Sequence, residues 1–251
     1  MRFSSFFFCL VNPQLLPLDE SLQKYLTSSN FLPNNIWQTR FSPCSNYLAV
    51  PKQDIYGHDI IVVLHSPNWH PTDKSAQLYV HEEFQCSSSV WSIAFGRKSA
   101  VINENYSTKK TRSNSTVNCR HNFTKNLFLA AGLANGKINI WNIDTGELTL
   151  ILQDHKSTVC SLAFTLNSMQ LVSTSHDKTI KLWDLLDDGN MYKTIHQWTF
   201  KFNTVQWSPD ETLLCAVGPF VLLYETVHWQ ELFKFDGHEH TVADCVFSSD
   251  R

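Results

Sequence analysis

The feature that most constrains this 251-residue chain is a period. Trp141 and Trp183 stand 42 residues apart, and Tyr224, at the matching position of VLLYE, follows 41 further on. A second landmark keeps the same step: His155, His196 and His238 are separated by 41 and then 42 residues. Around these landmarks one unit recurs. A small-residue run (LFLAAG, QLVSTS) enters a tight turn at Asn135-Gly136 or Asp177-Lys178. A second run then ends on Trp with Asn or Asp, at Trp141-Asn142 and Trp183-Asp184. Short β-type runs repeating at a step of roughly 40–45 residues fit one four-stranded antiparallel blade per copy, so the chain reads as all-β, a β-propeller.

The unit resembles the WD repeat, with the residues Asn126 to Asp188 as its clearest stretch. The resemblance implies that His155, Asp177 and Trp183 are linked with a Ser of the second strand, Ser173 or Ser175, in a hydrogen-bonded chain. The physical sense is that a buried indole N–H needs an acceptor and a buried carboxylate needs donors. The same His and Asp could be read as catalytic, but the repeat explains the pair without chemistry. No Gly-rich phosphate loop, nucleophile elbow or metal cluster occurs, so no catalytic residue, metal or cofactor is expected. His238-Glu239-His240 lacks a third ligand at useful spacing and reads as the repeat's ordinary Gly-His.

Composition narrows the class further. With 43% apolar and 17% charged residues the chain can bury a large core, and its net charge of −3 gives no whole-chain drive toward nucleic acid or acidic membranes. No apolar run reaches transmembrane length. The seven cysteines are scattered, odd in number and without a Cys-x-x-Cys. Cys160, Cys215 and Cys245 fall in apolar strand-like runs. This is reduced, intracellular usage, and places the chain in the cytoplasm or nucleus.

In chain order, residues 1–34 do not fit the repeat and read as an extension that packs on the propeller or is partly disordered. Its apolar run MRFSSFFFCLV is followed by Asn-Pro rather than a small-residue cleavage site, which argues against a signal peptide. The propeller is expected over 35–251. Blade one covers about 36–84, with a Pro-rich loop carrying Trp69 before its last strand. Blade two covers 90–152 and contains a flexible insert, 97–126, in which seven Lys and Arg face Glu104 alone. The insert lacks aromatic interleaving, so a solvated loop is a better reading than a nucleic-acid site, and its three Asn-x-Ser/Thr triplets would matter only in a secreted protein. Asn135-Gly136 is expected to form a type I′ turn. Blade three, 158–195, is the strongest copy. Blade four, 203–235, is degenerate, with Tyr224 for Trp and Gly218-Pro219 for the Asp turn. A fifth blade starts at 241–251, with a strand expected over Thr241 to Phe247. About four and a quarter blades is an incomplete propeller, because rings commonly have seven; the expectation is a fragment of a longer product.

Beyond the generic repeat, several runs resemble the WD repeat and SOCS box-containing proteins: the tail LLDDGNM after Trp183-Asp184, VWSIAFG before the long insert, LAAGLANGKINIWNIDTGEL, LQDHKSTV and LLCAVGPFVLLYE. The resemblance covers about residues 36–251. It implies a substrate receptor of a ubiquitin ligase, whose propeller holds the target protein while a C-terminal SOCS box docks elongins B and C and hence a cullin. No SOCS box is legible in these 251 residues, so ligase partners are expected only for a form that carries one. The alternative is a plain WD-repeat scaffold. Target binding is expected on the end of the ring that carries the blade-to-blade loops and the turns between second and third strands, with Lys156, His176, Trp198, Phe200 and His240 on that face.

Overall fold

The computed structural model describes residues 39–54, 56–65, 79–97, 127–196 and 199–248. The N-terminal extension, the Trp69 loop, the insert beyond Arg97 and Trp198 lie outside these residues. The described chain is all-β and forms four sheets of four antiparallel strands, each a simple meander. The first holds β1 (Arg40–Phe41), β2 (Tyr47–Gln53), β3 (Asp59–His65) and β4 (Tyr79–Gln85). The second holds β5 (Val90–Arg97), β6 (Leu127–Leu133), β7 (Lys137–Asn142) and β8 (Leu148–Gln153). The third holds β9 (Val159–Phe164), β10 (Gln170–Ser175), β11 (Thr179–Asp184) and β12 (Asn190–His196). The fourth holds β13 (Thr204–Trp207), β14 (Leu213–Val217), β15 (Val221–Glu225) and β16 (Glu231–Phe235). Among the described residues no helix is long and apolar enough to cross a membrane.

The strand sequences explain the layering. Middle strands such as DIIVVLH and LFLAAGL are apolar on both faces and buried almost end to end: β6 lies between the first and third sheets, while β3 turns Ile61 and Val63 to the second sheet and Ile60, Val62 and Leu64 to a cluster within its own sheet. Fourth strands such as ELFKF lie at the rim and are exposed throughout. The first strands line up inside: β5 packs on β9, and β9 on β13. Three apolar clusters stitch sheet to sheet. Ile61, Val63 and Phe84 meet Leu129 and Trp141; Ile138 and Leu152 meet Leu171 and Trp183; Val172 and Leu182 meet Val205 and Leu214. The sheets do not close into a ring among the described residues.

Two local devices repeat from blade to blade. The turn between first and second strands starts on Ser42, Thr165 or Ser208, and its fourth residue, Ser45, Ser168 or Glu211, takes a left-handed φ of 52–61°. In each copy the starting hydroxyl accepts the amide five residues on, at 3.0–3.1 Å, so a short polar side chain closes the turn. The second device is a register shift between third and fourth strands, which falls at Val63/Leu64, Ile140/Trp141, Leu182/Trp183 and Leu223/Tyr224. A bulge at one position in every blade bends the outer strand and increases its twist where the Trp, or its substitute, turns inward.

Two expectations need correction. The Asn135-Gly136 turn is not type I′: of the two, only Gly136 has positive φ, 85°, and its amide bonds Leu133 O at 3.2 Å. A type I′ turn requires positive φ at both central residues. Asn135 instead uses its side chain to accept the amide of Lys137. Blade three makes the same turn with Lys178, φ 69°, in the glycine's place. The second correction is that residues 241–248 form no strand. They lie against blade four through Val242 N–H to Gly218 O, Asn203 Nδ2 to Val242 O and Thr204 Oγ1 to Ala243 O. An inner strand gains its ladder only from the second strand of its own blade, and no such strand follows among the described residues. Cys245 therefore sits outside a strand, its thiol against that of Cys215.

Candidate functional site

The polar centre of blade three is built from four elements. His155 lies in the loop before β9, Ser173 in β10, Asp177 in the turn after it, and Trp183 near the end of β11. Trp183 Nε1 donates to Ser173 Oγ at 2.8 Å. Ser173 Oγ meets His155 Nε2 at 2.7 Å, and His155 Nδ1 meets Asp177 Oδ2 at 2.8 Å. One assignment uses every proton once: the indole donates to the serine oxygen, the serine O–H to Nε2, and Nδ1–H to the carboxylate. Asp177 is saturated from its other sides. Lys156 N–H donates to Oδ2 at 2.9 Å, and Thr179 donates to Oδ1 through its hydroxyl at 2.6 Å and its amide at 3.0 Å. Burial alone would raise the Asp177 carboxyl; the bonds from His155 and Thr179 overcome this and hold it well below the usual carboxylate range.

Of the two serines the sequence offered, Ser173 carries the chain from His155 to Trp183. Ser175 supports the turn instead, accepting the Asp177 amide at 3.1 Å and donating to Ser157 O at 3.0 Å. Thr179 was missed by sequence reasoning, although a Thr two residues after a turn Asp is an Asx-type partner by spacing. The Ser–His–Asp order is that of a nucleophile set, but Ser173 is fully buried and its Oγ is occupied by the indole N–H, so no substrate atom can reach it.

Four of the five residues proposed from sequence for a binding face lie among the described residues. Lys156 is exposed, and its amide is pinned to Asp177. His176 is half-buried in the turn after β10, its amide bonded to Thr158 O at 2.9 Å. Burial, and then the Lys201 ammonium, push its imidazole below the ordinary histidine value. Phe200 is not a free anchor: its ring packs edge-on against Phe202 and Phe220, with centroids 5.5 and 5.6 Å away. His240 is exposed in the irregular segment after β16. The structure adds Trp91, at the start of β5, whose ring meets that of His176 at 5.8 Å while 43% of it stays exposed. Its signal in the sequence was a Trp at the second position of an inner strand, where blade three has Cys160 and the matching residue of blade four, just before β13, is Asn203. Among the described residues no three His, Cys, Asp or Glu side chains converge as a metal site.

Comparison with known proteins agrees with this geometry. The family model "WD domain, G-beta repeat" matches residues 146–184, the outer strand of blade two and most of blade three. The chain is 40% identical over 144 residues to WD repeat and SOCS box-containing protein 1 of Xenopus tropicalis, covering 55% of this chain and 32% of that protein. To the protein of that name from Homo sapiens it is 42% identical over 138 residues, 53% of this chain and 30% of the relative. It is also 33% identical over 113 residues to the periodic tryptophan protein 2 homolog of Dictyostelium discoideum, 44% of this chain and 12% of that one. The chain thus spans about a third of the length of the first relatives it matches. It is a WD-repeat protein related to WD repeat and SOCS box-containing protein 1.

Proposed function

We propose that residues 35–251 are a protein-binding WD-repeat module that holds a target protein, as the substrate-recognition part of an elongin–cullin–SOCS-box ubiquitin ligase does. The observation that carries this is the 42% identity to a protein whose name joins a WD repeat to a SOCS box. The saturated polar centre of blade three supports it, because His155, Ser173, Asp177 and Trp183 hold one another rather than a reacting group. In this reading the module has no catalytic residue and needs no cofactor. It works inside the cell, and its partners are a target protein on the propeller face and, for any form carrying a SOCS box, elongins B and C with a cullin.

The weaker likeness to the periodic tryptophan protein 2 homolog favours a second reading, a WD-repeat scaffold without a ligase link. Elongin capture separates the two. Purified elongins B and C are expected to bind a form that carries a SOCS box. Failure of such a form to capture them would leave the scaffold reading.

A further inference from the structure

One end of the sheets gathers cations and an aromatic ring, and the carboxylates of blade three there are already engaged. The turn after β10 presents His176 and, in left-handed conformation, Lys178. Lys156 is held beside it through the bond of its amide to Asp177. Lys201 is exposed in the loop before β13, next to the turn of blade four: a Cβ built on Gly218 would lie 2.7 Å from the Lys201 carbonyl oxygen. The exposed part of Trp91 closes the other flank, edge-on to His176.

The carboxylates of blade three nearest to Lys156 are already engaged. Asp177 is filled by His155, Thr179 and the Lys156 amide, and Asp154 is paired with Lys181. Neither Lys156 nor Lys201 is in an ion pair with another described residue. The segment after β16, which lies against blade four through Val242 and Ala243, carries Asp236, Glu239 and Asp244. A net charge of −3 over the whole chain makes the local excess of ammonium groups a feature of this patch rather than of the protein.

We propose that this patch is the target-binding surface of blades two to four and that it takes an acidic peptide segment. Carboxylates of the segment pair with Lys156 and Lys201, and one apolar side chain packs on the exposed part of Trp91 beside His176. Charges at such a surface set which partner docks and how fast, and an aromatic anchor supplies desolvated area. The inference rests on the protein-binding reading above and names the chemistry of the ligand.

The test is fluorescence polarisation of the full 251-residue chain with short fluorescein-labelled peptides. Each peptide carries one Leu, flanked by Asp and Glu, by Asn and Gln, or by Lys. The acidic peptide is expected to bind tightest and to weaken as salt is raised. The double variant Lys156→Glu with Lys201→Glu should lose about tenfold or more of that affinity, and Trp91→Ala a smaller factor. Lys193→Glu, on β12, should change little, and thermal unfolding of each variant shows that it still folds. Equal binding of the acidic and Asn/Gln peptides, or an unchanged double variant, overturns the acidic ligand and leaves the protein-binding reading standing. Absence of binding by all three peptides overturns this surface. If a form carrying a SOCS box also captures no target protein, the protein-binding reading falls with it.

Discussion

Blades three and four share strand order, turn and bulge, yet they fill the same positions with opposite chemistry. Paired through Leu171↔Trp183 and Leu214↔Tyr224, the two second strands align Ser173 with Ala216, Thr174 with Val217 and Ser175 with Gly218. Blade three is held by a polar chain running from an indole to a carboxylate. Blade four replaces three of the four groups on that path at once. The serine is an alanine, the turn Asp is the Gly218-Pro219 pair, and the indole is Tyr224, whose phenol burial pushes up to about 12, so that it stays neutral. The comparison teaches that the backbone of a blade does not require the network. What it requires is consistency, since a buried donor without its acceptor costs more than having neither.

The largest effect that separates the two blades is expected at Trp183. It is 2% exposed and packs with Ile138, Leu152 and Leu171, so Trp183→Ala removes core volume and also strands Ser173. A loss of about 3–5 kcal/mol is expected from denaturant unfolding. The sharper pair is Trp183→Phe against Tyr224→Phe. The first deletes a donor that Ser173 accepts and should cost about 1 kcal/mol more than the second. Equal losses would mean that the network adds nothing beyond packing.

Next comes Asp177→Ala, which leaves His155, Thr179 and the Lys156 amide without their acceptor and should cost about 1–3 kcal/mol. A pH series sharpens it. The folded-state pKa of Asp177 is depressed, so its contribution is fully present above the unfolded-state value, about 4, and is lost as pH falls through the folded one. The stability gap between the native chain and Asp177→Asn should therefore be constant from pH 7 to 5 and narrow in stronger acid. A gap independent of pH would remove the carboxylate from the account. Blade four, with Pro219 in this region, offers no such acid-sensitive group.

These contrasts also show what the sequence could and could not say. The blades, the strands DIIVVLH, QLVSTS, TIKLWD and ELFKF, and the pairing of His155 with Asp177 and Trp183 were legible, because each rests on a period or on local residue type. The choice of Ser173 over Ser175 was not. Both serines lie on the same face of β10, so the choice depends on how far along that strand Trp183 sits: its partner is Leu171, two residues from Ser173 and four from Ser175. The bulges at Leu64, Trp141, Trp183 and Tyr224 leave no residue signature at all, since each is a property of two paired strands. The turn at Gly136 was misread because Asn-Gly is shared by two turn types, and only the backbone tells them apart. Trp91 carried no reading of its own in the sequence, because its exposure comes from its neighbours in space. Trp198 belongs to residues about which the geometry is silent.

The turns themselves give the third test, between blades two and three. Gly136 and Lys178 occupy the same left-handed position, but a Cβ on Gly136 would meet the His155 carbonyl oxygen at 2.4 Å. Gly136→Ala should cost about 1–2 kcal/mol for the backbone conformation, and more for that clash with the next blade. Lys178→Gly should be neutral or gain up to about 1 kcal/mol, because the chain already accepts the left-handed backbone there and glycine relieves it. Thermal unfolding of the two variants would read opposite signs. A tolerated Gly136→Ala would show that the loop of His155 can yield, and so that the cross-blade fit there is loose.

The smallest expected effect reverses the usual direction. Thr174 is fully buried, and its hydroxyl is the one buried side-chain polar atom among the described residues without a hydrogen-bond partner. It lies between Ser173 and Ser175, both of which are bonded, and opposite Ile180 and Ser161. Nothing in the polar chain uses it, and its counterpart in blade four is Val217, the residue of nearly the same shape with a methyl in place of the hydroxyl. Burying an unpaired hydroxyl costs free energy that an isosteric methyl does not, so Thr174→Val should stabilise the chain by about 1 kcal/mol. The β-branched backbone preference is unchanged, which isolates the hydroxyl as the cause. Measured by urea unfolding, a gain with unchanged slope would mark Thr174 as a place where blade three carries polarity that its network does not need. A loss would reveal a partner for the hydroxyl in solution, and blade three would then be polar for a reason at each of its three central positions rather than at two.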